Sequence, residues 1–201
     1  MIGVITGDII NSQQSASEEW MPGLKSLFET FGKTPKDWEI YRGDEFQIKT
    51  NIDEVFWIAL CIKALIKKTE NLDVRLAIGI GDEQFSSEKI TESNGTAYVN
   101  SGRLLNEIKS DNRTFAIQTP DTAVNKDLDM VFRWAIINFD GWTPVVSEVV
   151  YEMMMNCKIT QEELAKKMNI TQSSISQRIK RSNFDLIIET DHYFRKKIAA
   201  L

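Results

Sequence analysis

Two acids, Asp8 and Asp44, combine a reactive residue type with a setting that suits chemistry. Val4-Ile5-Thr6-Gly7-Asp8 is an apolar run that ends in Gly-Asp. Tyr41-Arg42-Gly43-Asp44-Glu45-Phe46 falls between two predicted strands, residues 38–41 and 46–50. Gly43 suits a tight hairpin that needs positive φ. Carboxylates at strand ends are either solvated or hold a cation. A hard divalent ion such as Mg²⁺ takes oxygen ligands, commonly one or two carboxylates plus substrate phosphates. Asp8, Asp44 and a backbone carbonyl near Ile9 are the candidate metal ligands. Thr6, Gly7, Asn11 and Ser12 offer amide or hydroxyl contacts to phosphate. Two plainer readings stay open: Asp8 as an Asx-turn or helix cap, and Asp44 as a hairpin acid in water.

A second group carries recognition chemistry. Residues 158–181 read Lys-Ile-Thr-Gln-Glu-Glu-Leu-Ala-Lys-Lys-Met-Asn-Ile-Thr-Gln-Ser-Ser-Ile-Ser-Gln-Arg-Ile-Lys-Arg. Thr160 and Glu163 form a capping box that starts a helix. Leu164, Ala165 and Met168 are its apolar face, and small Ala165 permits close crossing by the next helix. Asn169 suits a left-handed turn. Thr171 caps a second helix, with Ile175 and Ile179 one turn apart on its buried side. Thr171, Gln172, Ser173, Ser174, Gln177, Arg178 and Arg181 are then the candidate DNA-binding residues. The pattern resembles a bacterial helix-turn-helix, whose second helix enters the major groove with polar side chains at base edges. A three-helix bundle with a basic face is the bland alternative.

The composition fits this division. The chain has 201 residues, 42% hydrophobic and 26% charged, with a net charge of −5. Residues 1–140 hold 22 acids and 15 bases, whereas residues 141–201 hold 7 acids and 9 bases. A basic end on an acidic chain suggests a polyanion partner there. Cys61 and Cys157 have neither disulfide nor metal spacing and read as core residues of a reducing compartment. The one histidine, His192, reads as a surface residue, which leaves no Ser-His-Asp, Cys-His or zinc arrangement. The start lacks a basic n-region and no apolar stretch spans a bilayer, so the expected location is cytoplasmic, with no membrane partner.

These residues need elements to position them. Residues 1–6 read as a buried strand, 18–31 as a helix, 38–50 as a hairpin, and 53–68 as a helix capped by Asn51 or Asp53. Residues 74–80 read as a strand interrupted only by Arg75. Strand, helix, hairpin, helix, strand is the split βαβ, ferredoxin-like order. A helix over 97–108, a short edge strand over 115–117 and an apolar helix over 128–139 follow. Asp140-Gly141 marks a boundary, and Thr143-Pro144 starts another helix. The prediction is an α/β (α+β) chain: a ferredoxin-like sheet domain over 1–119, a connecting helix over 120–140 and a small all-α domain over 141–201. Residues 55–66 and 128–139 are apolar enough to offer dimer surfaces.

The hairpin string RGDEF resembles the GGDEF signature of diguanylate cyclases. GDIINS, RGDEF, the strand Val74-Arg75-Leu76-Ala77-Ile78-Gly79-Ile80-Gly81 and the segment Gly95-Thr-Ala-Tyr-Val-Asn-Ser-Gly-Arg103-Leu-Leu together resemble the motif order of class III nucleotidyl cyclases. That resemblance implies that Asp8 and Asp44 bind two metal ions, which activate a 3′-hydroxyl and clamp a triphosphate. It implies that Arg42, Gly43 and Glu45 line a nucleotide or phosphate site, and that Asn100 and Arg103 act on substrate. Arg42 stands where the signature has its first Gly, and Asn100 lies three residues before Arg103, whereas the family has four. The whole chain resembles the SatD family of bacterial proteins. Three functions follow as expectations. The first is a dimeric transcription regulator that binds double-stranded DNA and senses a nucleotide or phosphate ligand with Mg²⁺. The second is an active Mg²⁺-dependent cyclase or nucleotidyltransferase. The third is a degenerate cyclase-like domain kept for dimerisation.

Overall fold

The computed structural model describes residues 1–201. It is a mixed α/β chain with one five-stranded sheet and eight helices. The strands are β1 (Ile2–Ile10), β2 (Trp38–Tyr41), β3 (Glu45–Thr50), β4 (Asp73–Gly81) and β5 (Phe115–Gln118). Their order is β2-β3-β1-β4-β5. The first four run antiparallel to their neighbours, and β5 joins the edge parallel to β4. The central strand β1 continues past residue 6 to Ile10, because β3 and β4 flank it on both sides as far as Asp8.

Alternation along the strands defines two faces. Ile5, Ile9, Phe46, Ile48, Leu76 and Ile78 face α1 (Ser17–Glu29) and α2 (Val55–Ile66) in the main core. Val4, Thr6, Asp8 and Ala77 face the other way, toward α3 (Thr96–Ser110). Gly79 and Gly81 let α3 approach closely: a Cβ on Gly79 would lie 2.2 Å from the Ala97 carbonyl oxygen.

Helix α2 is apolar all round because it is enclosed all round. It packs on the sheet, on α1, on α5 (Pro144–Met155) and on α8 (Phe184–Ile198). It lies inside the chain and offers no dimer surface. Its N-cap is Glu54, not Asn51 or Asp53. Its polar exception is Lys63, fully buried, with its ammonium 2.8 Å from Asp73 and 2.7 Å from Asp140. Lys67 adds bonds to Asp73 and to the Asp140 carbonyl. These contacts bind α2 and β4 to the end of α4 (Thr122–Asp140).

Helix α4 starts at Thr122, six residues before the apolar run begins, because Asp121 caps it by accepting from the amides of Ala123 and Val124. Leu128, Phe132 and Phe139 are buried, while Met130, Trp134 and Ile137 stand in solvent at 61%, 71% and 65% exposure. The apolar run of α4 therefore has two sides, one of them bare. A single apolar cluster extends from Ile5 in the sheet through Phe132 to Phe194 and Ile198 in α8.

The last helices are α6 (Gln161–Met168) and α7 (Gln172–Ser182), between α5 and α8. Thr160 and Glu163 make the full capping box. Asn169 ends α6 in the left-handed conformation, at φ 53°. The Thr171 hydroxyl accepts from the Ser174 amide. Leu164, Ala165 and Ile175 are buried against Val149 of α5. Cys61 is a core residue, and burial pushes its thiol far above the ordinary range. Cys157 is exposed: it lies just past the end of α5, so it is not the core residue the sequence suggests. No helix is long and apolar enough to cross a membrane.

Candidate functional site

Register brings three charged residues into one row on the α3 face. Asp8 pairs with Glu45 of β3 on one side and with Arg75 of β4 on the other. Lys109, in the last turn of α3, closes over them. Its ammonium is 3.4 Å from Asp8 Oδ2 and 3.0 Å from Glu45 Oε1. Arg75 Nη1 lies 3.3 Å from the same Asp8 oxygen. Asp8 Oδ1 is buried and takes no hydrogen bond. Next to this row, the Gln47 side chain donates to Thr6 Oγ1, and the Thr6 hydroxyl donates to Ser101 of α3.

Asp44 belongs to the neighbouring position. Its carbonyl accepts from the Ile9 amide at 3.2 Å, which fixes the hairpin against β1. Its carboxylate accepts from the Ser12 hydroxyl at 2.7 Å. A shallow cavity of about 390 Å³ here is lined by Ile9, Asn11, Ser12, Asp44 and Arg75 among others. Asn11 is left-handed, and its side chain donates to the Asn71 carbonyl. Thus Asp44 lies just before β3, whereas Asp8 lies inside β1 and not at its end, and the acid directly opposite Asp8 is Glu45. Arg75 links the two places, touching Asp8 and lining the Asp44 cavity.

In the hairpin, Arg42 and Gly43 both have positive φ, 54° and 88°. Glycine takes that conformation at little cost, and arginine does not. Arg42 holds it with its side chain exposed and 3.8 Å from Glu45. Gly7 lies on the main-core face of β1. It sits within β1 between Phe46 and Leu76, and a Cβ there would come within 2.5 Å of the Phe46 ring. Its role is to admit that ring.

Asn100 and Arg103 do not join the row. Asn100 donates to the Ile80 carbonyl at 3.3 Å. Ile80 pairs with Gly3, five residues from Asp8 along β1, or about 17 Å at strand rise. Arg103 is exposed on the middle of α3. The residue of this row that the motifs do not point to is Lys109. One signal pointed to it: Ala97, Ser101, Leu105 and Lys109 recur every four residues, the stripe that faces the sheet.

Asp8 and Glu45 are two carboxylates opposite each other, one with an unused buried oxygen, and no group of three or more His, Cys, Asp or Glu side chains is gathered to hold a metal ion. Asp44, bonded to Ser12, stands apart from this pair. The three cations Arg42, Arg75 and Lys109 suit phosphate.

In the helical part, Gln172, Ser173, Gln177 and Arg181 of α7 are exposed, as is Thr171. Ser174 and Arg178 are half-buried. Lys166, Lys180 and Arg181 add positive charge around this face.

These features define an α/β protein with a charged row on its sheet and a polar helix face at its end. The SatD family profile matches residues 2–200, and the chain belongs to that family. No match is found among curated proteins.

Proposed function

We propose that this chain is a DNA-binding regulator whose sheet unit binds a nucleotide or another phosphate ligand together with Mg²⁺. The observation that carries the reading is α7: Ile175 is fully buried, and Gln172, Ser173, Gln177 and Arg181 are exposed around it. Read with the left-handed Asn169 between α6 and α7, this pair is a helix-turn-helix whose second helix enters the major groove. Gln at a base edge specifies adenine, and Arg and Lys reach guanine or phosphate. The β2-β3-β1-β4 order, with α1 and α2 on one face, supports a ferredoxin-like reading of the sheet unit. On that reading residues 1–119 sense, 120–140 connect and 141–201 read DNA.

The sensing step follows from charge balance. Asp8, Asp44 and Glu45 carry three negative charges and Arg42, Arg75 and Lys109 three positive ones, so the group is balanced in charge. A divalent ion on the carboxylates releases Lys109 and Arg75, which then bind the phosphate. The catalytic reading draws less support, because Asn100 is engaged at the far end of α3. A second copy completes the regulator. Met130, Trp134 and Ile137 form a bare stripe at helical spacing that suits a two-fold contact, and paired half-sites call for a two-fold protein.

The test is selection of binding sites from random DNA by the intact protein, followed by anisotropy on the selected sequence. Gln172→Ala with Gln177→Ala is expected to flatten the preference between selected and scrambled sites. Arg178→Ala with Arg181→Ala is expected to lower the slope of affinity against salt by about 1 to 2. A preference untouched by the Gln changes removes α7 as the reader.

A further inference from the structure

The boundary between α2 and α8 contains a cavity of about 530 Å³, within the usual size of small-molecule sites. It lies away from the Asp8 row and shares no lining residue with the cavity beside Asp44. Phe31, just past the end of α1, and Trp57 of α2 contribute aromatic surface. Asp191 of α8 lines it and is 5% exposed. Arg195 Nε donates to Asp191 Oδ2 at 2.6 Å, while Oδ1 is buried and has no partner. Glu54 lies at the rim, its carboxylate accepting only from Asn51 at 3.0 Å. His192 and the exposed Cys157 complete the opening.

Each of these features selects for a positive, partly apolar guest. Two carboxylates against one guanidinium leave the cavity acidic. A buried carboxylate oxygen without a hydrogen bond lacks a donor, and leaving it so is costly. Aromatic faces attract an ammonium through the ring quadrupole and cover an apolar body at the same time. A carboxylate or phosphate ligand meets repulsion from Glu54 and Asp191 and has only Arg195, already paired, and the His192 imidazole at the opening to bind. We propose that this cavity is a binding site for a small organic amine, its ammonium on Asp191 and its apolar body against Trp57 and Phe31. The occupant touches both α2 and α8, so it joins the sheet-packed helix to the last helix of the chain.

The experiment uses the intact protein and phenethylamine, with phenylacetate as a probe of the same shape and opposite charge. Calorimetric titration is expected to show phenethylamine binding at least tenfold more tightly than phenylacetate. Asp191→Asn is expected to weaken the amine at least tenfold. A parallel readout needs no variant: Cys157 is the exposed thiol and Cys61 is buried, so maleimide labelling reports on the opening. Phenethylamine is expected to slow that labelling severalfold, and phenylacetate to leave it unchanged. Equal binding of the two probes, absence of binding by both, or labelling indifferent to the amine overturns the proposal.

Discussion

Asp8 is held by two cations and still has an unused oxygen. Lys109 is the more replaceable of the two, since it reaches back from the last turn of α3 and is about a third exposed. Lys109→Met leaves Asp8 and Glu45 facing each other without the ammonium that now bridges them. Divalent binding, read by Mn²⁺ paramagnetic titration, is expected to tighten roughly tenfold, equivalent to about 1.4 kcal/mol. Asp8→Asn is expected to abolish it. An affinity unmoved by Lys109→Met means that the ion binds elsewhere. Glu163 supplies a second test, of pH. Its bonds from the Thr160 amide and hydroxyl hold its carboxyl below the usual 4.5. A depressed folded value contributes stability above the unfolded one, and that contribution is lost as pH falls through the folded value. Wild type is therefore expected to melt above Glu163→Gln at neutral pH, with the gap closing below pH 4.5. A gap constant from pH 7 to below 4 removes the carboxylate from the account.

At the scale of elements, the order of strands and helices through β4 is legible in the sequence, because each element carries its own period and its own punctuation. Capping at Thr160, the turn at Asn169 and the buried Ile175 are local events, and they occur where local chemistry puts them. The site is less legible, because it depends on register. Asp44 and Glu45 are adjacent, and a one-residue difference reverses the face a side chain occupies. Only the pairing of Asp8 with Glu45 decides which acid faces Asp8. Lys109 likewise needs α3 to be laid on the sheet before its role shows. Lys63 is the third case: within an apolar helix it reads as an exception, and its partners Asp73 and Asp140 come from two other elements. It is buried without remainder, so Lys63→Met leaves two carboxylates short of a cation. The expected loss is about 3 kcal/mol in urea unfolding, since breaking a buried pair costs more than the pair contributes. The companion change Lys63→Met with Asp140→Asn is expected to recover part of it. No recovery means that the cost lies in packing around α2 and not in charge.

For the whole molecule, the bare stripe on α4 is what the proposed two-fold assembly rests on. Met130, Trp134 and Ile137 lie four and three residues apart, so they share one side of the helix. Leu186 of α8, 55% exposed, lies beside them, and a cavity of about 420 Å³ runs between the two helices. Large apolar side chains in such a row gain free energy when a second copy covers them, and a two-fold contact lets each stripe cover the other. On the proposed reading, the same contact would fix the separation of two α7 helices, and that separation would select the half-site spacing on DNA. Trp134→Glu places like charges at the middle of the seam while leaving the buried face of α4, Leu128, Phe132 and Phe139, untouched. The expected outcome is a dimer for wild type and a monomer for Trp134→Glu in sedimentation velocity at micromolar concentration. Both proteins are expected to show the same helical circular dichroism. Binding of the variant to a two-half-site operator is expected to fall far more than its binding to a single half-site, because it loses the linkage between two reading helices and not the reading itself. Wild type sedimenting as a monomer, with full affinity for the paired site, would take the stripe out of DNA recognition altogether.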